Sequence, residues 1–172
     1  LRQALAYGFD FEWSNKNLFH SQYARTHSFF SNSELAATEL PSPDELKILT
    51  PYKGQVPDEV FTKVYQAPKG GGPRQIRKNL RVAGKLLKDA GWVINDGERV
   101  NAATGQALEF EVLLVSPLFE RIVLPFAKNL EKLGVKVSVR TVDPSQYRRR
   151  IQTYDFDVIV GGWGQSLSPG NE

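Results

Sequence analysis

Between residues 108 and 160 the apolar positions switch repeatedly between a period of two and a helical period, and few folds admit that alternation. Leu108, Phe110 and Val112 alternate with polar neighbours before the run closes as Leu113-Leu114-Val115, the pattern of a strand entering the middle of a sheet. Leu118, Ile122, Val123, Phe126, Ala127, Leu130 and Leu133 then recur at helical spacing as far as Gly134. Val135, Val137 and Val139 alternate with Lys136, Ser138 and Arg140, a strand with one solvated face. Asp143-Pro144-Ser145-Gln146 caps a further helix that carries Tyr147 and Ile151, and Val158-Ile159-Val160 reads as a final, buried strand. Strand, helix, strand, helix, strand with short connections predicts an α/β fold, a mostly parallel sheet flanked by helices. Ligands on such sheets gather at the carboxyl ends of the strands. Here those ends are Ser116-Pro117, Thr141-Val142-Asp143 and Gly162-Trp163-Gly164-Gln165-Ser166.

Upstream, Ile76, Leu80, Ala83, Leu86, Leu87 and Ala90 predict an amphipathic helix that Gly91 ends. Residues 92–94 and 99–100 read as a small hairpin around Asn95-Asp96-Gly97. The first part, 1–72, is helical in patches and rich in loops. Its aromatic side chains, Phe9, Phe11, Trp13, Phe19, Tyr23, Phe29 and Phe30, are crowded enough to be expected in a core. Ser42-Pro43-Asp44-Glu45 has the cap serine, first-turn proline and third-position glutamate of a helix start, and Pro57-Asp58-Glu59 resembles a second. Gly70-Gly71-Gly72-Pro73 is expected to be a mobile loop. Length favours a single domain over residues 1–172, with 1–72 as its loop-rich part and 73–172 as its α/β part. The opening without methionine and the turn-like close at Ser168-Pro169-Gly170-Asn171-Glu172 read as a piece of a longer protein.

Composition excludes several classes of function. A formal charge of +3 does not demand a polyanionic partner, and the absence of cysteine rules out disulfides and thiolate metal sites. The two histidines, His20 and His27, lack the spacing and acidic company of a zinc site, so no metal or cofactor is expected. Gly162-Trp163-Gly164 lacks the third glycine of a dinucleotide fingerprint, because Leu167 stands there. The same segment lacks the closing glycine of a nucleophile elbow after Ser166.

Three features remain as candidates. Arg148-Arg149-Arg150, with Arg140 and Lys136, forms either a patch for phosphate or an acidic partner, or a solvated helix face, and the modest total charge favours the second. Arg25, among Tyr23, Thr26, Ser28 and Phe29, is either a bidentate anchor for a ligand carboxylate or phosphate, or part of an internal salt bridge. Trp163, between glycines after a strand, offers a flat apolar wall and one donor, and its position favours a binding surface over a core plug.

In their order along the chain, 2–10 (Arg-Gln-Ala-Leu-Ala-Tyr-Gly-Phe-Asp), Leu86-Leu87-Lys88-Asp89-Ala90-Gly91-Trp92, Leu133-Gly134-Val135-Lys136-Val137, and Tyr154-Asp155-Phe156-Asp157 with Gly162-Trp163 resemble the second lobe of peptide-type solute-binding proteins, the oligopeptide, dipeptide and nickel group known as family 5. The stretches 11–18, 28–35 and 161–171 are similar to the Yej-type subgroup, associated with peptide-like cargo including microcin C. The resemblance implies a type II periplasmic-binding-protein-like lobe. It implies a two-lobed clamp in the Gram-negative periplasm that closes on a peptide or modified peptide and docks on the permease of an ABC importer, with no catalysis, cofactor or nucleic-acid partner. The ligand residues would be Trp163, Gly164, Gln165, Ser166, Ser116, Arg25 and Phe29. Many members carry an acidic residue shortly after the tryptophan, where Ser166 stands here, which puts recognition of a free amino terminus in doubt. Two rival readings stay open. One is a small α/β hydrolase using Ser116 or Ser166, which requires His20 or His27 within hydrogen-bond reach. The other is an anion- or nucleic-acid-binding domain using Arg148 to Arg150.

Overall fold

The computed structural model describes residues 1–31 and 33–162. It divides into two compact units, one of Leu1–Tyr23 with Pro68–Gly162 and the other, among the described residues, of Ala24–Ala67. The division differs from the composition boundary at 72/73 because the first two helices pack on elements from the far end of the chain. Among the described residues no helix is long and apolar enough to cross a membrane.

In the first unit, α1 (Arg2–Ala6), which α2 (Phe11–Leu18) follows, packs against the long α5 (Pro73–Asp89), although the second unit intervenes in sequence. Helix α5 begins with proline at its first turn, where the missing N–H costs nothing. It gives way to Gly91, whose φ of +82° is the left-handed turn that side chains resist. The hairpin of β1 (Trp92–Asn95) and β2 (Glu98–Asn101) follows, with Asn95 opposite Glu98. Asp96 and Gly97 both have positive φ, as the tight turn that matches strand twist requires.

Strand β3 (Glu109–Leu114), α6 (Glu120–Glu131), β4 (Lys136–Thr141), α7 (Pro144–Gln152) and β5 (Val158–Ile159) realise the expected alternation. The sheet order is β4-β3-β5, and β3 pairs parallel with both neighbours, Val112 lying opposite Val139 and Val158. Leu113 and Leu114 are fully buried because β3 is central. Strand β5 is half-buried and Val160 exposed, against the expectation of a buried closing strand, because among the described residues β5 has a sheet neighbour on one side only.

One apolar cluster joins Ala4 of α1, Ala83 and Leu87 of α5, Leu130 of α6, and Leu108, Leu133 and Val135. Complete burial of a side chain such as Leu130 stabilises by about 1.5–3 kcal/mol. A second cluster sets Val112 and Leu114 against Val123, with Phe119, Val139 and Val158 around them. Arg99 is buried between these elements, its Nε donating to Leu133 O at 2.9 Å and Nη1 to Trp92 O at 3.2 Å. Burial lowers its pKa from the ordinary arginine value.

The aromatic crowd is not the core. Trp13, Tyr23 and Phe29 are exposed, and the other four are only half-buried. Phe9 meets Phe126 edge-on at 6.2 Å, and Phe19 meets Tyr23 at 4.8 Å with the Arg121 guanidinium over its ring. Of these rings Phe9 meets a side chain packed on the aliphatic core, Phe126, and that core is built from branched and small side chains where α1, α5 and α6 meet.

The glycine segment expected to be mobile is tied down. Gly70 N–H donates to the Glu12 carboxylate and Gly71 N–H to Asp10 Oδ1 at 2.7 Å, while Asp10 also caps α2 through Trp13 N–H at 3.0 Å. A Cβ on Gly70 would meet Asp10 Oδ1 at 2.0 Å, so glycine is needed there for close approach of backbone to carboxylate.

The second unit is held mainly by local hydrogen bonds. Helix α3 (Pro43–Leu49) starts in the capping box foreseen at Ser42 and Glu45, and a single 3-10 turn follows it before the short α4 (Glu59–Thr62). Ala67 is the buried apolar residue of this unit among those described, and its N–H donates to His27 Nδ1 at 3.4 Å.

Candidate functional site

The parallel sheet presents its carboxyl edge as a row of polar groups. Leaving β3, the chain reaches Ser116, whose hydroxyl accepts Leu118 N–H at 3.3 Å and starts a 3-10 turn into α6. At the end of β4, Val142 N–H donates to Leu114 O at 2.9 Å, which brings Thr141 beside the start of α6. There Thr141 Oγ1 donates to Glu120 Oε1 at 2.6 Å. Asp143 accepts from the N–H groups of Ser145 and Gln146 at 2.9 and 3.0 Å, so its carboxylate is committed to capping α7. Beyond β5, Val160 O accepts from the Tyr147 hydroxyl at 3.3 Å and leads into Gly161 and Gly162. The edge thus offers one carboxylate and three hydroxyls, groups suited to orienting a polar ligand by hydrogen bonds.

Of the residues singled out from sequence, Ser116 lies on this edge. Trp163, Gly164, Gln165 and Ser166 fall outside the described residues. Arg25 and Phe29 belong to the second unit, where Arg25 is half-buried and Phe29 is 82% exposed. The serines around Phe29 explain its display. Ser28 Oγ accepts the N–H groups of Phe30 and Ala37, Ser31 Oγ donates to Ser28 O, and Ser33 Oγ donates to Phe30 O. Those bonds fold the loop on itself and leave the ring of Phe29 pointing away from it.

Glu120 and Tyr147 were not foreseen as site residues. Glu120 lies 21 residues from Thr141 in sequence, and only the sheet brings them together. Their signal was weak: a carboxylate opening the first turn of a helix is ordinary, as it favours the positive end of the helix dipole.

The arginine run on α7 separates into distinct roles. Arg150 forms an ion pair with Glu111 at 2.8 Å, donates through Nε to Asp155 at 2.9 Å and is largely buried, while Arg140 approaches Glu111 at 3.9 Å. Burial opposes the Arg150 charge, but Glu111 and Asp155 outweigh it and raise the pKa. Arg140, Gln146, Arg149, Arg150, Thr153 and Asp155 line an open polar cavity of about 490 Å³, which none of the edge residues Ser116, Glu120, Thr141 or Tyr147 lines. Among the described residues no group of three His, Cys, Asp or Glu side chains could hold a metal ion. The hydrogen bond of the Ser116 hydroxyl is to Leu118, and among the described residues none joins it to His20.

Residues 1–172 match the model of bacterial extracellular solute-binding proteins, family 5, middle region. The chain belongs to that family. It is 51% identical over its whole length to the y4wM protein of Sinorhizobium fredii and 49% identical to the probable peptide-binding protein YejA of Agrobacterium fabrum. It spans about a quarter of each, 26% and 28% respectively. Among solved structures it superposes on the oligopeptide-binding protein AppA of Bacillus subtilis, solved with a nonapeptide, at a TM-score of 0.66 and 20% identity, covering 98% of this chain and 28% of that one. The fold expected from the strand and helix rhythm is therefore that of a family 5, type II binding-protein lobe.

Proposed function

We propose that the full-length protein is the substrate-binding component of an ABC importer in the cell envelope, and that residues 1–172 form a large part of its second lobe. In this reading the two lobes close over an oligopeptide or modified peptide, and the closed form docks on a membrane permease in the periplasm. The supporting observation is the family match along all 172 residues, with a relative named as a probable peptide-binding protein 49% identical across them. Lobe closure performs the work, and no bond is made or broken.

The residues proposed to contact the ligand are Ser116, at the carboxyl end of β3, Trp163, Gly164, Gln165 and Ser166, and Arg25 and Phe29. Serine at 166 supplies a hydroxyl and not a carboxylate, so this segment orients its ligand by hydrogen bonds and stacking more than by pairing with an ammonium group. That favours modified peptides, the microcin C class included, over simple peptides with a free amino terminus.

The test is a thermal shift of the full-length protein with mixed short peptides, followed by mass spectrometry of whatever remains bound. A ligand at a hundred times its Kd stabilises by about 2.7 kcal/mol, a shift of several degrees at most. Recovered intact peptides support the clamp. No shift with any peptide, or cleaved products in place of bound ones, sinks it, and cleavage returns the question to Ser116 and Ser166 as nucleophiles.

A further inference from the structure

The outward face of α5 carries Arg74, Arg77, Lys78, Arg81, Lys85 and Lys88, all exposed. At 3.6 residues per turn these six fall within an arc of roughly 100°. Ile76, Asn79, Ala83 and Leu87 are buried on the opposite side. The row extends along roughly 21 Å of helix, from position 74 to position 88. Six cations against the single carboxylate of Asp89 leave this helix at +5, more than the +3 of the whole chain.

An ordinary solvated helix face intersperses the two signs, as Asp44 and Lys47 do on α3, 2.7 Å apart. On α5, Arg74 with Lys78, Arg77 with Arg81, and Arg81 with Lys85 are like-charged neighbours one turn apart, and each such pair disfavours the helix. Among the described residues none of the six takes part in an ion pair. The repulsion is relieved when a polyanion lies along the row. No aromatic residue occurs in Pro73–Asp89, so nucleic-acid bases would find nothing to stack on. A straight line of charge on one helix matches a plane of anionic headgroups, into which lysine and arginine can extend their long side chains.

We propose that the α5 row is a docking surface for anionic lipid headgroups, which holds the binding protein against the membrane. The proposal rests on the reading that the full protein works beside a membrane permease. It adds a lipid contact that peptide binding does not require.

Full-length protein is sedimented with vesicles of phosphatidylcholine alone, and with vesicles of phosphatidylcholine and phosphatidylglycerol in equal parts. Binding is expected on the anionic vesicles only, and it weakens as salt shortens the Debye length below its ~10 Å at 0.1 M. Each cation near such a surface contributes about five-fold, so Arg77→Gln, Arg81→Gln and Lys85→Gln together lower the partition constant roughly a hundred-fold. Arg148→Gln with Arg149→Gln, on α7, leaves it unchanged. Glutamine is a good helix former, and an unaltered melting curve checks the fold of the triple variant. If that variant unfolds, Lys85→Gln with Lys88→Gln serves instead and lowers binding by about twenty-five-fold.

Equal sedimentation with neutral vesicles, no binding at low salt, or undiminished binding by the substituted proteins overturns the proposal. Binding to soluble polyglutamate that the triple variant loses, with no binding to vesicles, assigns the row to an acidic protein surface and also overturns it. The peptide thermal shift runs in parallel. Loss of vesicle binding with the peptide shift intact defeats the lipid contact alone, and a protein that binds vesicles but no peptide defeats the importer reading alone.

Discussion

In the unit formed by Leu1–Tyr23 and Pro68–Gly162, Leu87, Leu113, Leu114 and Leu130 are enclosed, whereas in Ala24–Ala67 the side chains of Leu35, Ile48, Tyr52, Val64 and Tyr65 stand largely in solvent. The first unit has helices and strands whose apolar faces meet, so burial selects its structure. The second has helices too short to form a layer, and their backbone groups are satisfied by serine and threonine hydroxyls and by one capping box. Where burial decides, a residue's worth is set by what surrounds it. Where local hydrogen bonds decide, it is set by the one or two backbone groups it satisfies.

That contrast predicts its largest effect at Leu113. Leu113→Ala removes a side chain with no exposure from the centre of the sheet and should cost about 2–5 kcal/mol. Ile48→Ala, at a side chain 69% exposed, should change stability by less than about 0.5 kcal/mol. Urea unfolding of both variants is the measurement. Equal losses would mean that Ile48 is packed in the full protein and that the second unit has a core of its own.

The same division explains what could be read in the sequence. Period-two and helical patterns located β3, α6 and β4, whose apolar side chains enter or pack against the two core clusters, and a capping sequence located α7, which has no buried residue. Asn95-Asp96-Gly97, Ser42 and Asp143 were legible as turn and caps because their chemistry is local. The aromatic crowd misled, since ring content does not say whether a ring faces inwards or outwards. Gly70 misled for the opposite reason: a glycine triplet reads as freedom, yet here its missing Cβ lets Asp10 and Glu12 reach the backbone from about sixty residues away. At the candidate site Ser116 was placed by the rule for strand ends, but the Glu120–Thr141 pair exists only once β4 lies beside β3. The cations of α5 were legible in principle. Arg148 to Arg150 draw the eye because they are contiguous, whereas the α5 row emerges only when the helical period is applied to charges as it is to apolar residues.

A smaller effect should separate the units through Ser28. Ser28→Ala removes the acceptor of Phe30 N–H at 3.3 Å and of Ala37 N–H at 3.0 Å, with a local loss of about 1 kcal/mol. Hydrogen exchange should quicken at Ala37 while the amides of β3 keep their protection. Parallel loss of protection in β3 would show the two units opening together and would erase the distinction.

The smallest effect is a matter of pH. The Ser42 backbone N–H donates to Glu45 Oε2 at 2.7 Å, and the Ser42 side chain adds to its effect. Together they hold the Glu45 carboxyl below the usual glutamate value, outweighing the slight opposing effect of burial. With its folded pKa depressed, Glu45 favours the capped helix fully above the ordinary glutamate pKa, and that contribution disappears as pH falls through the depressed one. The side chain is fully exposed, so the effect is confined to the end of α3 and leaves global stability nearly untouched. On acidification, exchange at the first amides of α3 should quicken relative to the intrinsic rate for that pH, and Glu45→Gln should flatten this dependence. The amides of Leu113 and Leu114, in the centre of the sheet, should show no such step. A step of equal size there would mean that acid loosens the whole chain, and that the capping box is not what holds α3 in place.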